Sequence, residues 1–405
     1  MRPDTKVLFQ FSEGAGGITN FFTLDDTVKG KLDNTTYTLG GAFSVVDVTQ
    51  YVRSVSVSRG RSRILDEVQA GSADIDLDNR DRLFDPTAAA SVTPYAGDIL
   101  PRRNVQITVN DEPIFTGLVE DWNITYTMDN DSVTTARCGD GFVVLGQATV
   151  PAVAQSSELS GTRIGSVLDD AEWVTSKRDI DAGEVTLQAD TPGDNTNVIQ
   201  YLQTVSKTEF GAFFMSREGL ATFRDRDAFQ DFSNPLELGG AGIPISSIAI
   251  DYGTEQLFNE ISVERVGGSV QTVSASASQV DYGLSELSLT GLLYTSDDDS
   301  LELADYLLSR YKDPTYRIDE VSIYMDGLTT AQQASVAALE VTDPLKITHS
   351  PAVGDPIVQF AAVDRVAHSI TPGGHFVTIT MSQAQPSFIL DSDDFGVLDT
   401  NTLGF

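Results

Sequence analysis

The chain has 405 residues, 40% of them hydrophobic and 21% charged, enough for two to four globular domains and too apolar for a disordered polymer. Its 26 Lys and Arg against 59 Asp and Glu leave a formal charge of −33, which excludes duplex DNA binding by neutralised phosphates. No apolar run approaches the roughly 20 residues that cross a bilayer, and the single Cys138 excludes an intrachain disulfide.

Residues 1–50 read as an N-terminal extension, with strand-like pieces at 7–11 and 21–24 around Gly14-Ala15-Gly16-Gly17. No Lys-Ser or Lys-Thr follows those glycines, so they are not a phosphate loop. The start, Met1-Arg2-Pro3-Asp4-Thr5, lacks the apolar core of a signal peptide, so synthesis in a cytoplasm without general export is expected. Residues 51–150 read as a small antiparallel barrel. Val55 and Val57 alternate with Ser54, Ser56 and Ser58; Ala73, Ile75 and Leu77 alternate with Asp74, Asp76 and Asp78. Val105, Ile107 and Val109 repeat the period before the turn at Asn110-Asp111-Glu112-Pro113.

The character changes near Pro151. Residues 151–245 read as an α+β domain, with a helix from about Thr162, its expected cap, to Trp173. A second helix carries Val198, Tyr201, Leu202 and Val205 on one face, followed by strand, turn and strand over 210–224. Residues 246–315 read as a β-rich domain ending in a helix, with Asp297, Asp298 and Asp299 at the positive end of its dipole and Pro314 beyond its end. Residues 316–385 read as a last barrel-like domain with turns at Gly354-Asp355-Pro356 and Pro372-Gly373-Gly374. Residues 386–405 read as a tail that docks through Phe388, Phe395 and Phe405.

Several strings in one order carry more than their composition. Arg59-Gly60-Arg61 with Leu65-Asp66, then Ala70-Gly71, then Leu77-Asp78-Asn79-Arg80-Asp81-Arg82 with Phe84-Asp85-Pro86 lead to Pro101-Arg102-Arg103 and the Phe115 to Trp122 run. This order resembles the first domain of the baseplate hub family, which includes minor tail proteins of long-tailed double-stranded DNA viruses. A helix followed by Glu209-Phe210-Gly211 and by Gly219-Leu220-Ala221-Thr222-Phe223-Arg224 resembles the second domain of the same hubs. The resemblance implies a mainly β fold with α+β insertions, in which two small antiparallel barrel-like hub domains flank mixed α/β domains. It also implies a virion component: a homotrimer at the tail tip whose barrels form a near-sixfold ring that closes the tube and opens for the genome. Its implied partners are the distal tail ring protein, the tape measure protein and other tail tip or fibre proteins, with viral DNA passing unbound. Two alternatives are a hexameric distal tail ring protein and a glycan-binding or glycan-cleaving tip protein. The extra domains oppose the first; two Trp in separate domains oppose the second.

No catalytic or cofactor pattern emerges, and the chain reads as a non-enzyme. There is no Gly-x-Ser-x-Gly elbow. His368 and His375 flank one turn but lack a third metal ligand. Asp74-x-Asp76-x-Asp78 opens like a calcium loop, yet Asn79 stands where glycine is required and Ile75 and Leu77 read as core. Arg59, Arg61, Arg63, Arg80, Arg82, Arg102 and Arg103 gather positive charge in the first barrel. They pair either across a subunit interface, with Phe395 and Phe405, or locally with Asp66, Asp78, Asp81 and Asp85. The charge of −33 itself suits a channel wall past which DNA slides. Seven Lys against nineteen Arg also suits a salt-rich cytoplasm, and the two readings are compatible.

Overall fold

A computed structural model describes residues 1–11, 45–129, 131–232 and 234–384. Among the described residues, seven strands build the first part: β1 Thr5–Gln10, β2 Val45–Asp47, β3 Val52–Gly60, β4 Gln69–Asp78, β5 Asn104–Val109, β6 Glu112–Tyr126 and β7 Ser132–Gly139. Period-two alternation sets their inner faces: Val55, Val57, Ala73, Ile75, Leu77, Val105 and Ile107 are buried, while Ser56 and Asp74 point to water.

The expected N-terminal extension is corrected at its two ends. β1 pairs antiparallel with β5 from Thr5↔Val109 to Gln10↔Asn104, and Val7 and Phe9 are fully buried. The apolar alternation of Val7, Phe9 and Phe11 is core, and Phe9 packs against Trp122 at 5.4 Å between centroids. The strand-like piece at 21–24 and the glycine cluster lie outside the described residues.

The middle of the chain holds α1 Phe142–Leu145, β8 Glu158–Leu159, α2 Ser160–Asp170, β9 Arg178–Ile180, β10 Thr186–Leu187, α3 Val198–Glu209, β11 Ala212–Met215 and β12 Ala221–Arg224. α2 starts at Ser160, two residues before the expected Thr162 cap and without a side-chain cap, and the Ser160 hydroxyl donates to buried Glu209 at 2.7 Å. α3 is capped by Asn197, whose side-chain Oδ1 accepts from Ile199 N–H at 3.0 Å, and closes on left-handed Phe210. β11 and β12 form the expected hairpin.

Next come β13 Leu236–Gly239, β14 Ser247–Asp251, β15 Glu260–Arg265, β16 Gln271–Ser274, α4 Ser276–Tyr282, β17 Glu286–Leu292 and α5 Asp297–Tyr311. β15 is central to β16 and β17, and α5 crosses their face. α5 opens with a capping box, Ser296 Oγ accepting from Asp299 N–H at 3.2 Å and Asp299 accepting from Ser296 N–H at 3.0 Å. The last part is β18 Arg317–Tyr324, α6 Thr330–Ala337, β19 Pro344–His349, β20 Ile357–Thr371 and β21 Gly374–Gln383.

The fold is mainly β with α+β insertions, as expected, but its two flanking β parts are joined. β20 pairs with β3 from Arg365↔Gly60 to Ile370↔Val55, so one ladder runs β14-β18-β21-β20-β3-β4-β7-β6-β5-β1-β2. One apolar cluster, from Val7 through Val57 and Ile107 to Val366 and Ile379, fills both parts. The expected break at 245 is not a break in the sheet: β13 and β14, on either side of it, pair with β19 and β18. A second cluster binds α2, α3, α5 and the small sheets.

Candidate functional site: a charged seam between the parts

The seam is written into Arg59-Gly60-Arg61. The ladder shifts at Ser58/Gly60 on β3 and at Val363/Arg365 on β20, so two irregular stretches face each other. Gly60 has φ +117°, and a Cβ there would stand 2.0 Å from the Asp364 carbonyl oxygen. That oxygen accepts from Arg61 N–H at 2.9 Å, so only glycine allows the approach.

The arginines on either side point inward. Arg61 donates Nε–H to Asp364 at 2.9 Å, with 4% and 1% of the two side chains exposed, and its guanidinium lies 5.2 Å from the Phe229 ring centroid. Burial pushes the Asp364 carboxyl upward, while Arg61 and a hydrogen bond donated by Ser382 pull it back. Arg59 donates to the Ile114 carbonyl at 2.9 Å and pairs with Glu340. Glu340 also accepts from Arg217 N–H at 2.7 Å, and the Arg217 guanidinium reaches Glu112 at 3.0 Å. One carboxylate therefore ties the first part, the middle hairpin and the last part together. Asp343 accepts from Glu340 N–H at 2.8 Å, and burial raises its carboxyl to about 6.

The other quoted strings are staples as well. Gly71 sits where a Cβ would meet Asp140 at 2.7 Å, and Asp140 accepts from Gly71 N–H at 2.6 Å and Phe142 N–H at 2.9 Å. Burial lifts the Asp140 carboxyl to about 7 against those bonds. Asn79, fully buried, accepts from Phe84 N–H at 2.9 Å. Asp85 accepts from Arg82 at 2.7 Å, Thr87 Oγ1 at 2.6 Å and Tyr126 at 2.7 Å. Its burial would raise its pKa, yet these bonds hold it well below the carboxylate range. A Cβ on Gly211 would stand 2.3 Å from the Arg224 carbonyl oxygen, so Glu209-Phe210-Gly211 and Phe223-Arg224 form one packed unit.

The gathered arginines thus divide. Arg59 and Arg61 face inward across the seam; Arg80 pairs with Asp78, and Arg82 with Asp85, locally. Arg63 is half-buried and pairs with Glu255. Arg103 donates to the Asp98 carbonyl at 3.1 Å, and left-handed Arg102 donates its N–H to Val119 at 2.6 Å. Phe395 and Phe405 lie outside the described residues. Glu340, Asp364, Arg217 and Asp140 were missed; no local pattern marks them, because their partners lie far away in sequence.

The remaining candidates resolve into strand chemistry. Asp76 accepts from Ser54 at 2.7 Å and Thr135 at 2.6 Å, and Asp78 pairs with Arg53 and Arg80, so these acids line one face of β4. His368 Nδ1 and His375 Nε2 are 3.0 Å apart, nearly fully buried, and no third metal-ligating side chain joins them among the described residues. These strand histidines bond to each other across the turn. Cys138 is buried, and that burial pushes its thiol up.

No protein-family profile matches the chain, and no curated protein matches its sequence. Its fold does match solved structures. The 43 kDa tail protein of prophage MuSo2 from Shewanella oneidensis is 13% identical, with a TM-score of 0.56 over 85% of this chain and 96% of that one. A tail protein from Neisseria meningitidis MC58 is 9% identical, with a TM-score of 0.55 over 85% and 94%. The fold is therefore that of prophage tail proteins, as the sequence resemblance implied.

Proposed function

We propose that the chain is a structural subunit of a viral tail tip, the baseplate hub, acting by assembly and gating rather than catalysis. The observation that carries this reading is the extent of the fold match, which takes in 85% of this chain and nearly all of two tail proteins. The seam supports it. A subunit that holds a closed tube against internal pressure needs its domains locked, and Arg59, Arg217 and Glu340 lock three parts at one point.

In this reading three copies form the ring, contacting the distal tail ring protein, the tape measure protein and tip or fibre proteins. DNA crosses a lumen kept free of sticking by like charge. Co-expression with the genes flanking its own tests the assignment. The chain should co-purify as a cap on one end of the tube rings, and a chain that stays apart from tube and tip proteins would contradict it. Assayed on cell-wall polymers and esters, the purified protein should leave both intact. Cleavage abolished by His368→Ala would contradict the non-catalytic role.

A further inference from the structure

His368 and His375 lie diagonally across the β20–β21 ladder near its hairpin end, where Ile370 pairs with His375 and His368 with Val377. Both are buried, at 2% and 1% exposure, and Nδ1 of His368 meets Nε2 of His375 at 3.0 Å. The outer nitrogens, His368 Nε2 and His375 Nδ1, are buried without a hydrogen-bond partner. A neutral imidazole carries one N–H. The bond between the rings uses one of the two protons, so whichever ring donates, the other proton sits on an outer nitrogen with nothing to receive it. Buried donors are normally satisfied, and this one weakens the closed form.

A further proton makes the count worse. Both outer nitrogens then carry N–H, and the pair carries a charge away from water. The charged groups that act on the rings are Arg59 of β3 on His368, and Arg2 and Asp326 on His375. Arg59 is committed to Glu340 and the Ile114 carbonyl. Asp326, the one anion among them, accepts the His375 backbone N–H at 3.2 Å and the Tyr324 hydroxyl at 3.3 Å.

Other contacts hang on the same end of the hairpin. Arg2 donates to the Thr371 carbonyl at 2.6 Å and to the Pro372 carbonyl at 3.3 Å. Gly374 lies so close beneath Tyr324 that a Cβ would meet its ring at 2.7 Å. Tyr324 and Phe376, both partly exposed, pack with ring centroids 4.9 Å apart.

We propose that the His368–His375 pair is an acid-sensitive latch: protonation opens the hairpin end from Ser369 to Phe376 while the rest of the sheet stays closed, and Arg2 loses its hold on the turn carbonyls. Three rungs part, Ser369↔Phe376, Ile370↔His375 and Thr371↔Gly374, and both rings gain water. Acid drives the opening because freed rings bind protons at the ordinary 6.5, whereas burial holds both lower in the closed form. The latch rests on the hairpin alone and is independent of the tail-tip assignment.

Hydrogen exchange of the intact chain tests it, read by mass spectrometry at pH 7 and pH 5 and divided by the intrinsic rate at each pH. The opening constant of residues 369–376 should rise at least about twentyfold. Sub-denaturing urea should leave it unchanged, because a local opening exposes little surface. His368→Asn with His375→Gln keeps amide donors and acceptors at the facing positions without a titrating group, and should abolish the rise. No rise in the parent, or the same rise in the double variant, would overturn the latch. Exchange at pH 5 that climbs with urea in step with β11 and β12 would make the event global unfolding and overturn it too, a comparison that needs no variant.

Discussion

Gly60 is the residue on which the join between the two β parts turns. An alanine there meets a backbone oxygen and a positive φ together, so Gly60→Ala should cost at least about 2 kcal/mol in urea unfolding. Gly267 has φ +75° but open space around its Cβ position, and Gly267→Ala should cost only about 1 kcal/mol. Equal costs would remove the steric argument. Arg61→Met strands a buried carboxylate and should cost about 3–5 kcal/mol, whereas Arg61→Met with Asp364→Leu should recover much of the loss. Two buried sites act in opposite directions over one pH interval. Burial, with a contribution from the neighbouring imidazole, lowers His368 well below 6.5, and burial takes His375 to about 4. Since the unfolded chain then binds protons first, stability falls as pH drops below about 6.5. Asp140 is raised from 3.8 to about 7, so the folded state holds the proton longer and stability falls as pH rises across that interval. The two windows overlap and oppose each other, so urea midpoints measured from pH 4 to 7 should fall less steeply toward acid in His375→Gln and more steeply in Asp140→Asn; unchanged slopes would contradict both assignments.

At the level of elements, what could be read early was local. α5 was legible because Ser296, its three acids and Pro314 lie within one helix length, and the hairpin of β11 and β12 because its glycine and phenylalanines sit at fixed offsets. β3 and β4 were legible because period two needs only one strand. β1 was misread although it carries the same period, since its partner β5 lies about a hundred residues on and the glycine-rich stretch between them reads as a loose end. The join of β3 to β20 and the Arg59–Glu340 pair, 281 residues apart, left no trace in either neighbourhood. Even so, the glycines that permit them, Gly60 and Gly71, stood inside the strings that pointed to hubs. α4 went unseen because Ser276 to Tyr282 offers almost no apolar stripe, with only Ser278 buried. If β1 is core, Phe9→Ala should cost about 3–5 kcal/mol in the same unfolding assay. A cost near zero would return residues 5–10 to the status of an extension.

For the whole molecule, the charge is −33, and among the described residues most Arg side chains are engaged in ion pairs within the chain. Copies brought together repel one another, and salt decides how strongly: the screening length is about 8 Å at 0.15 M and about 3 Å at 1 M. If the acids serve salt tolerance, an assembled ring should loosen in dilute buffer; if they serve passage of DNA, the ring should hold and its inner wall should carry the excess of carboxylates. We propose a threefold hub subunit with a fixed, locked body. Its mass in solution, measured by light scattering in molar salt, tests that claim most directly. The account predicts three times the 43.6 kDa of the chain. A mass of six chains would move the assignment to a distal tail ring, and a mass of one chain at all concentrations would contradict the ring itself.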